Sequence, residues 1–364
     1  MIIQDIIKEI EEFAPLNYAE DFDNVGLLVG DKNAEATGAL VTLDTLEATV
    51  DEAIAKNCNL IVSFHPIIFS GLKKITGKNY VERVVLKAIK NDIAIYAIHT
   101  ALDNQYKGVN DMICEKIGLV NRQILIPKKN SIKKLLTFVP KNDAENVRKA
   151  LFEVGAGSIG NYDNCSFNVN GQGSFKGNKD ADPVIGERGT IHYEEETQIG
   201  ITFAAHLESK VLNALFKSHP YEEVAYEIYT LENTNQHLGM GMIGELEEPQ
   251  DEESFLNSIK STFNTGCVRH SAFLGRPIKK VAVLGGSGAF AIENAKRAGA
   301  DIYITADLKY HDFYKAEKNI ILADIGHYES EQFTKNLVYS FLTKKFSNFA
   351  LILAETNSNP IKYI

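Results

Sequence analysis

The 364-residue sequence is short of cysteine, of long apolar runs and of positive charge, and each shortage removes a class of protein. Its four cysteines, Cys58, Cys114, Cys165 and Cys267, are widely scattered and form no C-x-x-C pair. That spacing argues against a disulfide framework and a cysteine-type zinc site, and it fits a reducing, intracellular compartment. No apolar run approaches the ~20 residues needed to span a bilayer. The first residues carry Asp5, Glu9, Glu11 and Glu12, where a signal peptide is basic and then apolar. A cytoplasmic protein with no membrane partner is therefore expected. A formal net charge of −10 disfavours binding to duplex DNA or to anionic lipid, so nucleic acid is not an expected partner either. What is present is ordinary globular material, 45% hydrophobic and 24% charged, and long enough for two or three domains.

Taken in order, residues 2–13 set Ile3, Ile6, Ile7, Ile10 and Phe13 at helical spacing before Pro15. Residues 39–43 read as a strand, 46–55 as a helix, 60–62 as a strand leading into Ser63-Phe64-His65-Pro66, 80–90 as a helix, and 93–98 as a strand ending in His99-Thr100-Ala101-Leu102-Asp103. This alternation predicts a parallel sheet covered on its faces, whose sites form beyond the carboxyl ends of the strands. Near residues 128–134 the chain turns basic and loop-like. Strands at 134–140, 199–204 and 224–231 then alternate with helices at 145–154 and 206–217, around a stretch at 155–189 rich in glycine, asparagine and aspartate. That order suggests a split β-α-β module of ferredoxin-like type. From Gly239 the first grammar returns, with strands at 280–284, 301–305, 320–325 and 349–354. The expected fold is α/β: two related parallel-sheet-rich lobes, residues 1–129 and 237–364, form one host domain interrupted by an α+β insertion at 130–236.

Gly326-His327-Tyr328-Glu329-Ser330-Glu331 follows one of these strands and opens a helix. A helical first turn puts His327 and Glu331 on one face, where both reach one ion, and an imidazole with a carboxylate suits zinc, iron or manganese. A helix start with Glu331 at the positive end of the dipole accounts for the same residues. Other strand ends contribute His65 and Asp103 and, more loosely, His99, Asp307 and His311, and such convergence is what a metal site on a parallel sheet requires. Two further motifs stay open: Gly285-Gly286-Ser287-Gly288 is a tight turn or a phosphate cradle. His219-Pro220-Tyr221-Glu222-Glu223 is a helix end or a second metal site.

Together, Asp23-Asn24-Val25-Gly26-Leu27, Phe64-His65-Pro66, His99-Thr100-Ala101-Leu102-Asp103, Thr305-Ala306-Asp307 with His311, and Gly326-His327-Tyr328 with Ser330-Glu331 resemble the NIF-three-like dinuclear-metal-centre proteins, known also as type 2 GTP cyclohydrolase I homologues. The motifs occur in family order across almost the whole chain. The resemblance implies that His65, Asp103, His327 and Glu331 ligate metal, with Asp103 and Glu331 bridging two ions. Zinc is the first expectation, and iron, manganese or magnesium are the alternatives. One position departs from the family, which has two adjacent histidines before the proline. Here the first is Phe64, so one ion lacks an imidazole and the subunit holds one ion or two, the second rescued by water or by His99. Otherwise His99 orients Asp103. The implied activity is metal-dependent hydrolysis of a nucleotide, the ring opening of GTP, with His311 or His99 carrying protons. A non-catalytic metal-binding regulator and a phosphoesterase with another substrate are the competing readings. The resemblance further implies a homohexameric ring. Gly155-Ala156-Gly157-Ser158-Ile159-Gly160, Gly186-Glu187-Arg188-Gly189 and His219-Pro220-Tyr221 resemble a signal-transducer-like insertion, similar to the divalent-cation-tolerance protein.

Overall fold

Ile3, Ile6, Ile7 and Ile10 are all buried on one stripe of the helix Ile3–Phe13, the outcome that their spacing predicts. Asn79 starts the helix Tyr80–Lys90 by accepting the Glu82 amide on its side chain at 2.9 Å. In the computed structural model, which describes all 364 residues, such elements assemble two units. One is Met1–Pro127 with Gln236–Ile364, and the other is Lys128–Asn235.

The first unit contains two sheets. One runs in the order Gly26–Val29, Ala94–Ala97, Leu60–Ser63, Ala39–Thr42, Leu351–Leu353, parallel throughout except for its first strand. The other runs Arg269–His270, Ile321–Asp324, Ile302–Ala306, Ile278–Ser287, Gly239–Gln250, Val120–Pro127. Only its three central strands are parallel, which makes it a mixed sheet where the alternation predicted a parallel one. The reason lies at the insertion. Gly239 pairs with Pro127 across two antiparallel strands, so the chain leaves and re-enters the unit at adjacent points, and only an antiparallel pair permits that. The sheets also exchange strands. Leu351–Leu353, from the end of the chain, joins the first sheet beside Ala39–Thr42, and Val120–Pro127 joins the second. One apolar cluster runs through both, from Ile6, Val41 and Leu60 to Val283, Ile304 and Ile325.

The second unit has the order β-α-β-β-α-β, with its sheet arranged Phe167–Phe175, His192–Ala204, Ile132–Pro140, Tyr226–Leu231, antiparallel at every pairing. Phe167–Phe175 lies inside the stretch that reads as loop. Its Gly171 and Gly173 suppress strand propensity, but nine paired positions from Phe167↔Gly200 to Phe175↔His192 outweigh it.

His219, a candidate for a second metal site, is instead spent on the backbone. Its Nε2 donates to the Phe138 carbonyl at 3.0 Å and its Nδ1 accepts the Tyr221 amide at 3.1 Å. Burial holds its pKa below the ordinary value, against the opposing pull of the Phe138 carbonyl and of Glu196 and Asp143. A second proton would occupy the nitrogen that accepts from Tyr221. The unfolded chain takes that proton near its ordinary pKa of about 6.5, so stability is present above that pH and is lost as pH falls through it. The melting midpoint is expected to drop between about pH 7.5 and 5.5, and less so in His219→Gln; equal slopes for the two proteins would contradict the assignment.

Candidate metal centre

Three strand-end residues meet in the first unit. His65 lies two residues beyond Leu60–Ser63, His327 opens the one-turn helix His327–Glu331, and Glu331 closes it. One ligand atom from each lies within 4.8 Å of the others. Both imidazoles present Nε2 to the same Glu331 oxygen, Oε2, each at 3.1 Å, with ring centroids 5.4 Å apart. The Oε2 atom is buried and makes no hydrogen bond, and neither does His65 Nε2. Buried polar atoms normally find partners. Two nitrogens and an oxygen at such spacing suit ligands that each lie ~2 Å from one shared cation. The donor set thus fits a borderline divalent ion.

Each imidazole is held from behind by an aspartate. His65 Nδ1 meets Asp44 Oδ1 at 2.7 Å, and His327 Nδ1 meets Asp307 Oδ2 at 2.7 Å. Such carboxylate pairs fix the ring and the tautomer that leaves Nε2 for a metal. Asp44 is tied in turn to the Ser358 hydroxyl at 2.5 Å, and Asp307 accepts from Ser287. Burial alone would lower both histidines, but the flanking carboxylates raise His65 to about 10 and His327 to about 11. Burial likewise raises Glu331, and the two imidazoles overcome it and bring the carboxyl down to about 2. Asp44 was no sequence-level candidate. The signal was there, since Asp44 also lies just past a parallel strand, Ala39–Thr42. Asp44→Asn or Asp307→Asn is expected to weaken metal affinity ~10–100-fold with the fold retained, as read by competition with a chelating dye; an unchanged affinity in both would remove these aspartates from the site.

Asp103 ends the one-turn helix His99–Asp103 and stands outside the close trio. Its Oδ1 is buried and has no hydrogen-bond partner, although the residue as a whole is only half-buried. Burial raises its pKa well above the usual range and the Glu331 charge adds to this, while His65 and His327 pull it back. It therefore shares the electrostatic field of the three without joining them. His99, expected to ligate or to orient Asp103, does neither through Nδ1, which meets Asp23 Oδ1 at 2.8 Å. Thr100 adds its amide and hydroxyl to the other Asp23 oxygen, at 3.1 and 2.5 Å, and the group anchors a turn in which His99 adopts φ +29°. The His99 ring stands edge-on to His65 at 5.4 Å and to the buried Phe64 at 5.5 Å. His311 is exposed and packs on Tyr310 and Tyr314, and the trio does not include it.

The turn Gly285-Gly286-Ser287-Gly288 reads as a tight structural turn rather than a phosphate cradle, because its first two amides are already spent. Gly285 N donates to Asn110 Oδ1 at 3.0 Å and Gly286 N to Ser330 Oγ at 2.9 Å. Gly286, at φ +68°, passes so close to Glu331 that a Cβ would overlap its Oε1. The glycine makes room for the ligand carboxylate.

The family model described as Duf34/NIF3 (NGG1p interacting factor 3) matches residues 1–360. A Bacillus subtilis protein named GTP cyclohydrolase 1 type 2 homolog is 40% identical over 99% of this chain and 98% of its own. A Staphylococcus epidermidis protein of the same name is 35% identical over the whole of both chains. Among solved structures, a Bacillus cereus protein related to NIF3 superposes with a TM-score of 0.87 at 37% identity, over 100% of this chain and 99% of that one. A Staphylococcus aureus protein does so with 0.80 at 31%, over 100% and 99%. No helix is long and apolar enough to cross a membrane.

Proposed function

The chain belongs to the Duf34/NIF3 family, and on that premise we propose that its metal centre is hydrolytic, with a nucleotide as substrate and GTP the first to test. The observation that carries this reading is the convergence of two aspartate-backed imidazoles on one unpaired, buried carboxylate oxygen. A divalent ion held there supplies Lewis acidity and lets water attack near neutral pH. His65, His327 and Glu331 would hold it, with Asp44 and Asp307 fixing the rings. Asp103, whose buried Oδ1 lies in the same field, would serve a second ion. His99, half-buried beside His65 and held at Nδ1 by Asp23, would carry a proton, and the exposed His311 is the alternative carrier. Zinc is the expected ion from the donor set; iron, manganese and magnesium are the competitors. In the ring opening of GTP, water adds at C8 of the purine, the five-membered ring opens, and a second hydrolysis releases that carbon as formate. The names of the relatives support the substrate class. Family membership also supports a cytoplasmic homohexamer, and the strand order of Lys128–Asn235 supports a ferredoxin-like insert of the signal-transducer kind.

The test is incubation of metal-loaded protein with GTP, followed by assay of formate and the ring-opened product. Absence of turnover on GTP and on a panel of other nucleotides and phosphoesters, with metal bound, would sink the hydrolase reading. A second reading, a metal-binding regulator without catalysis, draws on one observation. Phe64 is 1% exposed and cannot ligate, so a side chain that would complete a second ion site is missing. Phe64→His is expected to raise bound metal from about one to about two ions per chain, as measured by elemental analysis; unchanged stoichiometry would show that Phe64 does not limit the second ion.

A further inference from the structure

We infer that the unit Lys128–Asn235 carries a binding site of its own, for a compact organic cation: an amine or quaternary ammonium on an apolar or aromatic skeleton. Strand alternation prepares it. Leu135, Val139, Ile199, Ile201 and Phe203 pack with the helices Ala144–Glu153 and Glu208–Ser218, and Phe138, Glu196 and Gln198, at the alternate positions, belong to the opposite face. There the chain after Phe175 folds back across the sheet and borders an open-mouthed pocket of about 680 Å³, within the ~300–1,000 Å³ usual for small-ligand sites.

The lining specifies the ligand. Val169, Pro183, Val184 and Ile185 supply apolar walls. Phe175 and Tyr221 supply two aromatic rings, 5.5 Å apart and inclined at 63°, so that they meet as adjacent walls. Three acidic residues, Glu196, Glu222 and Glu223, line it against one cationic residue, Lys176. Glu196 is placed deliberately: the Tyr221 hydroxyl donates to its Oε1 at 2.9 Å, and Gly173 on the edge strand leaves the space that its Oε2 takes, since a Cβ there would overlap that atom. Glu222 is held by the Asp182 amide at 2.7 Å. Carboxylates beside aromatic faces attract a cation twice over, by charge and by the ring quadrupole. An anion would meet three like charges. The site lies wholly within this unit and does not depend on the reading of the metal centre.

The experiment titrates the full-length protein, stripped of metal with a chelator, with benzyltrimethylammonium and, in parallel, with phenylacetate, an anion of similar size. Calorimetry is expected to give saturable, submillimolar binding of the cation at one site per chain and no saturation with the anion. Glu196→Gln keeps an acceptor for Tyr221 and is expected to weaken the cation about tenfold, the worth of roughly one charge-assisted contact. Val184→Trp, in the covering loop, fills the cavity and is expected to abolish binding with the fold unchanged by circular dichroism. No saturable binding of the cation, equal binding of phenylacetate, or unaltered affinity in both folded variants would each overturn the proposal.

Discussion

Glu331→Ala empties the metal centre. Bound metal after purification and dialysis is expected to fall below about a tenth of an ion per chain, because the loss exceeds the ~10–100-fold that removal of an outer partner costs. Glu331 Oε2 is the one atom toward which both His65 Nε2 and His327 Nε2 are directed, each at 3.1 Å. No other carboxylate belongs to the close trio, so none takes its place. The same substitution weakens the metal-free protein. Glu331 is the shared counter-charge for two imidazoles whose pKa values stand at about 10 and about 11. Without it, both imidazoles lose the carboxylate that they share and keep only their outer aspartates against the cost of burial. A Glu331→Ala protein that keeps a full complement of metal would show that ions bind elsewhere, and with it the hydrolytic reading would fall.

Gly286→Ala should come close to the same result without touching a ligand. The added Cβ overlaps Glu331 Oε1, and at φ +68° an alanine is also strained, by ~1–2 kcal/mol. The Glu331 carboxylate must then swing away or the turn must open, and opening breaks the bond from Gly286 N to Ser330 Oγ. Metal affinity is expected to fall more than ~10-fold, the lower end of what outer partners cost, together with a lower melting midpoint. Gly285→Ala is the control. Its Cβ would crowd Ile113 Cδ1 and the stiff, β-branched Val109 at 3.1 and 3.2 Å, with the Glu331 Cγ at 3.4 Å, so stability should drop while metal binding largely survives. Equal affinities in wild type and Gly286→Ala would mean that the turn does not position the ligand.

The sheet exchange illustrates what a linear reading misses. Strand and helix periods revealed the elements on either side of the insertion, but 237–364 contributes Leu351–Leu353 to the sheet of the first lobe, and Val120–Pro127 crosses the other way. Three residues in extended conformation look the same whichever neighbour they pair with. Phe167–Phe175 was hidden for a related reason: its glycines speak for a loop, and only the partner strand His192–Ala204 makes it a strand. At the centre, the acidic turn holding Asp23 is compatible with a site role or a solvated loop, and only the fold shows that Asp23 captures His99; His311 shares a motif with Asp307 yet ends on a tyrosine surface.

The amino-acid order by itself determined what lies within one element. His327 and Glu331 are four residues apart, and one helical turn brings them together whatever else the chain does. It also placed His65 and Asp103 just past strand ends, where parallel sheets gather their sites. Tertiary structure alone decided that His65 closes on Glu331 while Asp103 stays outside the trio, that Asp44 and Asp307 back the two rings, and that Gly286 clears the space for the carboxylate. The difference is physical. Distances inside a helix or strand follow from a constant rise per residue, whereas distances between elements follow from sheet order and core packing, which no local stretch of sequence contains.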